Sequence, residues 1–373
     1  MEIFFSEEKM KEKFIKKILL LCMISFAFSC TKKNENVTVR TVIDQAGNEV
    51  ALPEKISRVV IASVWPLASL YCLMYGSNTL VGLDPAIVSA AENSMLIKIA
   101  PEISKIETGF SKNGMLNAEE LIKLKPDVVL YVAGIQADYD VCKNAGIPAV
   151  AFSLKIKNFN AIETIYSWAD LLSETMNQKI DISEYLAYGK KMQTLIAERL
   201  SKISENQKPR AMIIHQYEAS SLLVPGSSTW GDWWLSASGA INVAFENKGT
   251  SQTSIEQIYA WNPEFIYLTN FSDAIPNDLY ENKLQGHNWN EIVAVKEKRV
   301  YKFPLGIYRW YVTNTDSPLT LLYFAKHHHP DLFSDIDFEV ELKKFYKKFY
   351  KLDLTDEDVK HIFEAKRDAS RGI

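Results

Sequence analysis

The sequence predicts an α/β protein of two α/β lobes with parallel sheets, joined by one long rigid helix. Three observations carry that expectation. A capped helix, a Pro-marked turn and an apolar strand, Asn117–Ala–Glu–Glu–Leu–Ile–Lys–Leu–Lys–Pro–Asp–Val–Val–Leu–Tyr131, recur position for position as Ser254–Ile–Glu–Gln–Ile–Tyr–Ala–Trp–Asn–Pro–Glu–Phe–Ile–Tyr–Leu268. Two short apolar runs opened by arginine, Arg58–Val–Val–Ile–Ala62 and Arg210–Ala–Met–Ile–Ile214, stand in the same order in the two halves. Between the halves, Ile180–Ile203 has Gly189 as its one glycine and no proline, with Leu186, Met192, Ile196 and Leu200 at helical spacing. Strands alternating with helices imply parallel sheets with helical crossovers.

The chain opens with a targeting segment. Lys9, Lys11, Lys13, Lys16 and Lys17 precede an apolar run at residues 18–28, then Ser29 and Cys30. Basic residues, a short apolar run and a small residue before a cut form a secretory signal. The run is shorter than the ~20 residues that a membrane-spanning helix needs. A cysteine directly after the small residue resembles the bacterial lipobox, which implies lipidation at Cys30. Residues 1–29 are therefore expected to be the signal, with Met10 the better start, and residues 30–37 a lipidated tether.

The remainder divides into an N-terminal α/β lobe at 38–158, a helical region at 159–206 containing the connecting helix, a C-terminal α/β lobe at 207–335 and C-terminal helices at 336–373. In the first lobe the strands are Val59–Ala62, Val81–Asp84 and Val128–Leu130. In the second they are Met212–Ile214, Phe265–Leu268 and Val300–Phe303. Asn117 and Ser254 suit helix N-caps, where a side-chain oxygen meets otherwise unpaired N–H groups. Asp316 or Ser317 is expected to cap a helix with Pro318 in its first turn, running to His327. Further helices are expected over Phe338–Tyr350 and from Leu354–Thr355 onward.

Composition excludes several functions. At 47% hydrophobic and 24% charged residues the chain is globular, and a net charge of −4 gives no basic patch for nucleic acid. Cys72 and Cys142 sit in apolar, helix-like surroundings and read as buried free thiols. No Gly-rich phosphate loop, Gly-x-Ser-x-Gly elbow or His-Glu-x-x-His is present, so no catalytic residue is assigned and the protein is not expected to be an enzyme. His327–His328–His329 ends a helix, where such side chains suit the last carbonyls.

Several segments carry a family resemblance. Val42–Ile–Asp–Gln–Ala–Gly–Asn–Glu–Val–Ala–Leu–Pro–Glu–Lys–Ile–Ser–Arg58, Val81–Gly–Leu–Asp84, Leu116–Asn–Ala–Glu–Glu–Leu–Ile–Lys–Leu–Lys–Pro–Asp–Val128, Ser238–Gly–Ala–Ile–Asn–Val–Ala244 and the Ser254 repeat resemble the periplasmic-type solute-binding proteins of ABC importers that handle iron–siderophore, haem and cobalamin. The resemblance spans most of residues 38–365. It implies a ligand cleft between the lobes, no intrinsic cofactor, and partnership with an ABC permease and its ATPase. Where members often carry permease-docking glutamates, this chain has Leu70 and, before Gly239, Ser236, so the docking residues are not identified and Glu218 or Asp232 would stand in only as substitutes.

Ligands in open α/β sheets sit beyond the carboxyl ends of the strands. That rule selects Trp65, Tyr131, His215, Tyr217, Trp230, Tyr308, Arg309, Trp310 and Tyr311 as candidate ligand-binding residues. The aromatics offer flat, rigid surface with polar tips, and the planar guanidinium of Arg309 suits carboxylates and oxyanions. His215 is a candidate metal ligand only where a chelate leaves a coordination site free.

The expected protein is a monomeric, extracytoplasmic lipoprotein, bound to a bacterial membrane through its lipid alone, at the periplasm or cell surface. It captures an iron chelate, a ferric siderophore first, and delivers it to the permease. Molybdate or tungstate, a nickel chelate, haem or a corrinoid remain alternative ligands, and a surface interaction protein without transport is the alternative of another class.

Overall fold

The computed structural model describes residues 39–218, 220–283, 286–365 and 367. The signal segment, Cys30 and the tether lie outside them.

A hairpin of Val39–Ile43 and Glu49–Pro53 leads into the first lobe. Its four-stranded sheet has the order Leu80–Leu83, Val59–Ile61, Val128–Val132, Ala149–Phe152, with every pairing parallel. The runs Val59–Ile61 and Ala149–Phe152 are buried throughout, as parallel strands covered on both faces require. The second lobe repeats the plan in the order Ile241–Asn242, Arg210–Ile214, Phe265–Leu268, Val300–Lys302, again all parallel. An antiparallel sheet of Gln216–Glu218, Ser221–Pro225 and Thr250–Gln252 is added to this half.

The sequence repeat is also a repeat of bonds. Asp127 Oδ2 accepts from the backbone N–H groups of Ser57 and Arg58 at 2.7 and 2.9 Å. Glu264 Oε1 accepts from that of Arg210 at 3.0 Å. In return Arg58 Nη2 donates to Leu124 O and Arg210 Nη2 to Trp261 O, at 2.6 and 2.9 Å. The acid after each proline satisfies the entry to the neighbouring strand, and the arginine opening that strand satisfies carbonyls orphaned at the preceding helix end.

Two helices link the halves in chain order, the first packed along the first lobe. Ala161–Met176 is capped by Asn160 and ended by left-handed Asn177, and Ser183–Leu200 follows. The second lies within the expected Ile180–Ile203 and spans ~27 Å at 1.5 Å per residue. At Gly189 a Cβ would stand 3.5 Å from both Ile162 and Pro318, so the helix nests against the first linking helix and against Ser317–His328. One hydrophobic core runs from Val59 and Val150 through Trp168 and Ile196 to Trp234, Phe324 and Tyr346.

A buried strap, residues 305–316, passes between the lobes. Its Gly306 O accepts from Met95 N at 2.8 Å and its Ile307 O from Ser94 Oγ at 3.2 Å. Thr313 Oγ1 donates to Ala161 O at 2.9 Å, and Thr315 O accepts from Tyr185 at 2.9 Å. Asp316 anchors the strap. It precedes the helix Ser317–His328, but its carboxylate does not cap that helix. Instead Oδ2 accepts from Ile307 N, Trp310 Nε1 and Tyr346 Oη at 2.7, 2.9 and 2.6 Å, and Oδ1 from Tyr350 Oη at 2.8 Å. Burial raises this carboxyl, and those donors pull it back. A Cβ on Gly306 would lie 2.1 Å from Asp316 Oδ2, so the close approach requires glycine.

The C-terminal segment departs in detail from expectation. Phe338–Phe345 is α-helical, and Tyr346–Tyr350 widens into a π turn that presents both tyrosines to Asp316. Thr355 caps the last helix, Asp356–Phe363. The histidine tract is packed rather than solvated at the helix end. His328 bonds Ser238 Oγ and Tyr267 Oη, both at 3.0 Å, and His329 Nε2 meets Gly239 O at 2.9 Å. Cys72 and Cys142 are buried and free.

Asp316→Ala leaves the Tyr346 phenol, an indole and a backbone N–H without their buried acceptor, at about 1–3 kcal/mol for each unsatisfied group, while the Tyr350 hydroxyl keeps Thr315 Oγ1 at 2.7 Å. Denaturant unfolding is expected to register a loss of about 3 kcal/mol or more, against about 1 kcal/mol for Tyr346→Phe; equal losses would show that the carboxylate is not the anchor. A second expectation concerns pH. Burial pushes His327 to about 4 and His328 to about 3, from an ordinary 6.5. Below 6.5 the unfolded chain takes up protons that the folded chain refuses, so stability falls as pH drops from 6.5 towards 4. The slope is up to about 1.4 kcal/mol per pH unit for each histidine. His328→Gln is expected to flatten that slope, and an unchanged slope would contradict the assignment.

Candidate functional site

A cavity of about 350 Å³ opens at the carboxyl ends of both parallel sheets. The first lobe contributes Ser63 and Trp65, which follow the strand Val59–Ile61, Asp84 after Leu80–Leu83, and Asp138 on the helix after Val128–Val132. The second contributes Trp230 and Phe271, with Tyr308 and Val312 from the strap. A larger groove, about 700 Å³, runs beside the edge strand Val300–Lys302 and is lined by the second lobe and the C-terminal helices alone.

The first-lobe wall is held by paired hydroxyls and carboxylates. Ser63 Oγ donates to Asp138 Oδ2 at 2.6 Å and accepts from Val132 N at 3.0 Å. Asp84 Oδ1 accepts from Ala86 N at 2.9 Å, capping the helix Pro85–Glu92, and its Oδ2 accepts from Ser111 Oγ at 2.6 Å. Burial raises the Asp138 carboxyl, the Ser63 hydrogen bond lowers it, and nearby Asp84 raises it further. The second-lobe wall is made of ring faces. Trp230 opens the helix Trp230–Ala237, whose N-terminus Thr229 caps, and it packs edge-on to Phe159 at 6.2 Å. Trp65 Nε1 and Trp230 Nε1 are buried without a hydrogen-bond partner.

Of the nine residues selected from sequence, Trp65, Trp230 and Tyr308 line this cavity. His215, Arg309 and Tyr311 do not line it but pack against Phe271, which does. The His215 ring stacks on Phe271 at 5.0 Å and lies 5.2 Å from Tyr311. The Arg309 guanidinium sits 5.0 Å from the Phe271 ring centre and 5.8 Å from that of Tyr308, with the residue fully buried. Burial pushes His215 down to about 4, so it is neutral at pH 7. It is not among the residues that line the cavity, and the described residues hold no group of three or more potential metal-binding side chains.

Tyr131, Tyr217 and Trp310 are placed elsewhere. Tyr131 packs with Tyr139 and Cys142 in the satellite core of the first lobe. Tyr217 accepts from Trp289 Nε1 at 2.7 Å in the core beneath the antiparallel sheet. Trp310 is fully buried among Tyr323, Phe338 and Phe363, its indole N–H turned to Asp316. Along a strand adjacent residues face opposite ways, so Val132 lines the cavity and Tyr131 does not; Trp310, outside any strand, is held away by its bond to Asp316. Asp232 is also buried, accepting from Asn242 at 3.1 Å, and is withdrawn from any docking surface; Glu218 is exposed.

Phe271, Asp84 and Asp138 were missed as site residues. Phe271 lies just beyond the carboxyl end of Phe265–Leu268, so the strand-end rule, applied to that strand as well, selects it. Asp84 closes Val81–Gly–Leu–Asp84 in the same way. Asp138 lies on a helix, Gln136–Asn144, and no strand-end rule reaches it.

Comparison with known proteins agrees with this geometry. A family model described as periplasmic binding protein matches residues 77–305. The molybdate-binding protein MolA of Haemophilus influenzae is 26% identical, over 90% of this chain and 97% of its own; its molybdate-bound structure superposes with a TM-score of 0.72 at 24% identity, covering 85% of this chain and 99% of that one. A periplasmic solute binding protein from Veillonella parvula superposes with a TM-score of 0.76 at 29% identity, covering 90% of this chain and 100% of that one. Helicobacter pylori CeuE in its Ni-His complex gives 0.69 at 23% identity, over 87% and 98% of the two chains. With two parallel-sheet lobes and a cavity at their shared strand ends, this chain belongs to the periplasmic binding protein family.

Proposed function

We propose that the protein is the extracytoplasmic solute receptor of an ABC importer, that its ligand is a compact metal chelate with a ferric chelate first, and that lipid on Cys30 tethers it beside its permease. The observation that carries the ligand reading is the cavity itself, which is walled on one side by ring faces and lacks any cluster of metal-ligating side chains among the described residues. Such a wall suits a ligand that brings its own metal coordination and offers a flat organic rim. A naked ion would need several protein ligands. At about 350 Å³ the cavity lies near the floor of the range for small-molecule sites, which favours a compact complex over haem or a corrinoid. The nickel–histidine complex held by the Helicobacter relative is a second candidate of this size class.

A bare oxyanion is the other reading. Kinship with the molybdate-binding protein favours it, as do the two indole N–H groups without partners at Trp65 and Trp230.

Trp65→Phe and Trp230→Phe separate the two, since each keeps a ring face and removes the N–H. Calorimetric titration with ferric acetohydroxamate is expected to show binding that falls less than about threefold in either variant. An oxyanion held by those donors would lose about tenfold or more, since a hydrogen bond to a charged group contributes about 1.5–3 kcal/mol. Tight molybdate binding lost in both variants, with no binding of the ferric complex, would overturn the chelate reading.

The tether has its own test. Cys30→Ser is expected to move the protein from the membrane fraction to the soluble fraction, and the native protein's mature N-terminus is expected to carry the mass of a lipid. Unchanged membrane retention would place the anchor elsewhere. A tether of this kind raises the receptor's concentration near its permease without adding contacts.

A further inference from the structure

The two walls of the cavity are electrically unlike. The first-lobe wall holds Asp84 and Asp138, and no lysine, arginine or histidine is among the lining residues. Both oxygens of Asp84 are taken, by Ala86 N and Ser111 Oγ. Asp138 is different. It is 3% exposed, its Oδ2 accepts from Ser63 Oγ, and its Oδ1 accepts no hydrogen bond among the described residues. The facing wall is Trp230, Phe271 and Tyr308, and the Arg309 guanidinium stands behind the last two rings. Trp230, 8% exposed, adds an indole N–H with no partner. A carboxylate with spare acceptor capacity thus faces electron-rich rings backed by a cation.

A ligand that fits both walls has a definite chemistry. It gives the first lobe an N–H, an O–H or a metal-bound water, and it lays an uncharged organic face on the second. A polyanion does neither, and it must approach a desolvated carboxylate, where like charges repel far more strongly than in water. The cation behind the rings is too deep to contact it.

We propose that Asp138 is the charge-selecting residue of this cavity: it admits neutral or positively charged metal chelates that present a hydrogen-bond donor, and it rejects polyanionic chelates and tetraoxo anions. This rests on the chelate reading of the site and narrows it to a substrate class. The part of Asp138 is specificity rather than shape, because an asparagine in its place still accepts from Ser63.

Two iron complexes of similar size and opposite character test the inference. Ferric tris(acetohydroxamate) is neutral, and ferric tris(oxalate) is trianionic. Calorimetric titration of the full chain, with free chelator in excess, is expected to show the hydroxamate complex binding at least tenfold tighter. Asp138→Asn is expected to narrow that ratio at least fivefold, chiefly by gaining affinity for the oxalate complex and for molybdate. Equal binding of both complexes by the wild-type protein would overturn the inference and leave the chelate reading standing, and this comparison needs no variant. An unchanged ratio in a folded Asp138→Asn variant would remove Asp138 as the selecting group. Binding of neither iron complex would overturn the chelate reading, and the inference with it.

Discussion

A carboxylate with no exposure to solvent holds the middle of this molecule together. Asp316 collects a backbone N–H and an indole N–H from the strap itself and two phenolic hydroxyls from the π turn of the C-terminal segment. Burying a carboxylate is costly, and it is tolerated where the surrounding hydrogen bonds are complete. The result is a strap, 305–316, locked at one end to the C-terminal helices and bonded along its length to Ser94, Met95 and Ala161 of the first half. Tyr308 and Val312 reach the cavity because the strap is fixed there, and Arg309 is held behind its neighbour's ring for the same reason.

The strap bears on how the lobes behave. They share one continuous core, to which both linking helices and the buried residues of the strap contribute. Packed interiors resist continuous deformation, so capture by such a receptor relies on a cavity that is already formed. Preorganisation of this kind lowers the ordering cost of binding. It also makes the electrical character of the two walls a fixed property, available to select among ligands before any closure.

Much of the fold was legible in the sequence because the chain says it twice. The Pro–acid turns at Asp127 and Glu264 and the arginines at 58 and 210 recur together, and in the structure they make the same bonds in both halves. The site was harder to read. Strand-end logic finds Trp65, Trp230 and Tyr308, but it cannot tell which of several consecutive aromatics faces the cavity, so Trp310 and Tyr311 entered with Tyr308. Asp316 looked like a helix cap because aspartate before Ser–Pro usually is one; the π turn that brings Tyr346 and Tyr350 to it has no short sequence signature. Asp138 was invisible for another reason. An acid in the first turn of a helix ordinarily answers the helix dipole, and only the cavity beside it gives it another meaning.

The central claim is that the ligand sits between the lobes, with its metal shielded by the cavity walls. Anomalous diffraction at the iron edge, from crystals grown with ferric acetohydroxamate, tests it most directly. The account predicts one strong iron peak inside the cavity bounded by Trp65, Asp138, Trp230 and Tyr308. A peak in the groove beside Val300–Lys302, or iron only at molecular surfaces, would contradict it.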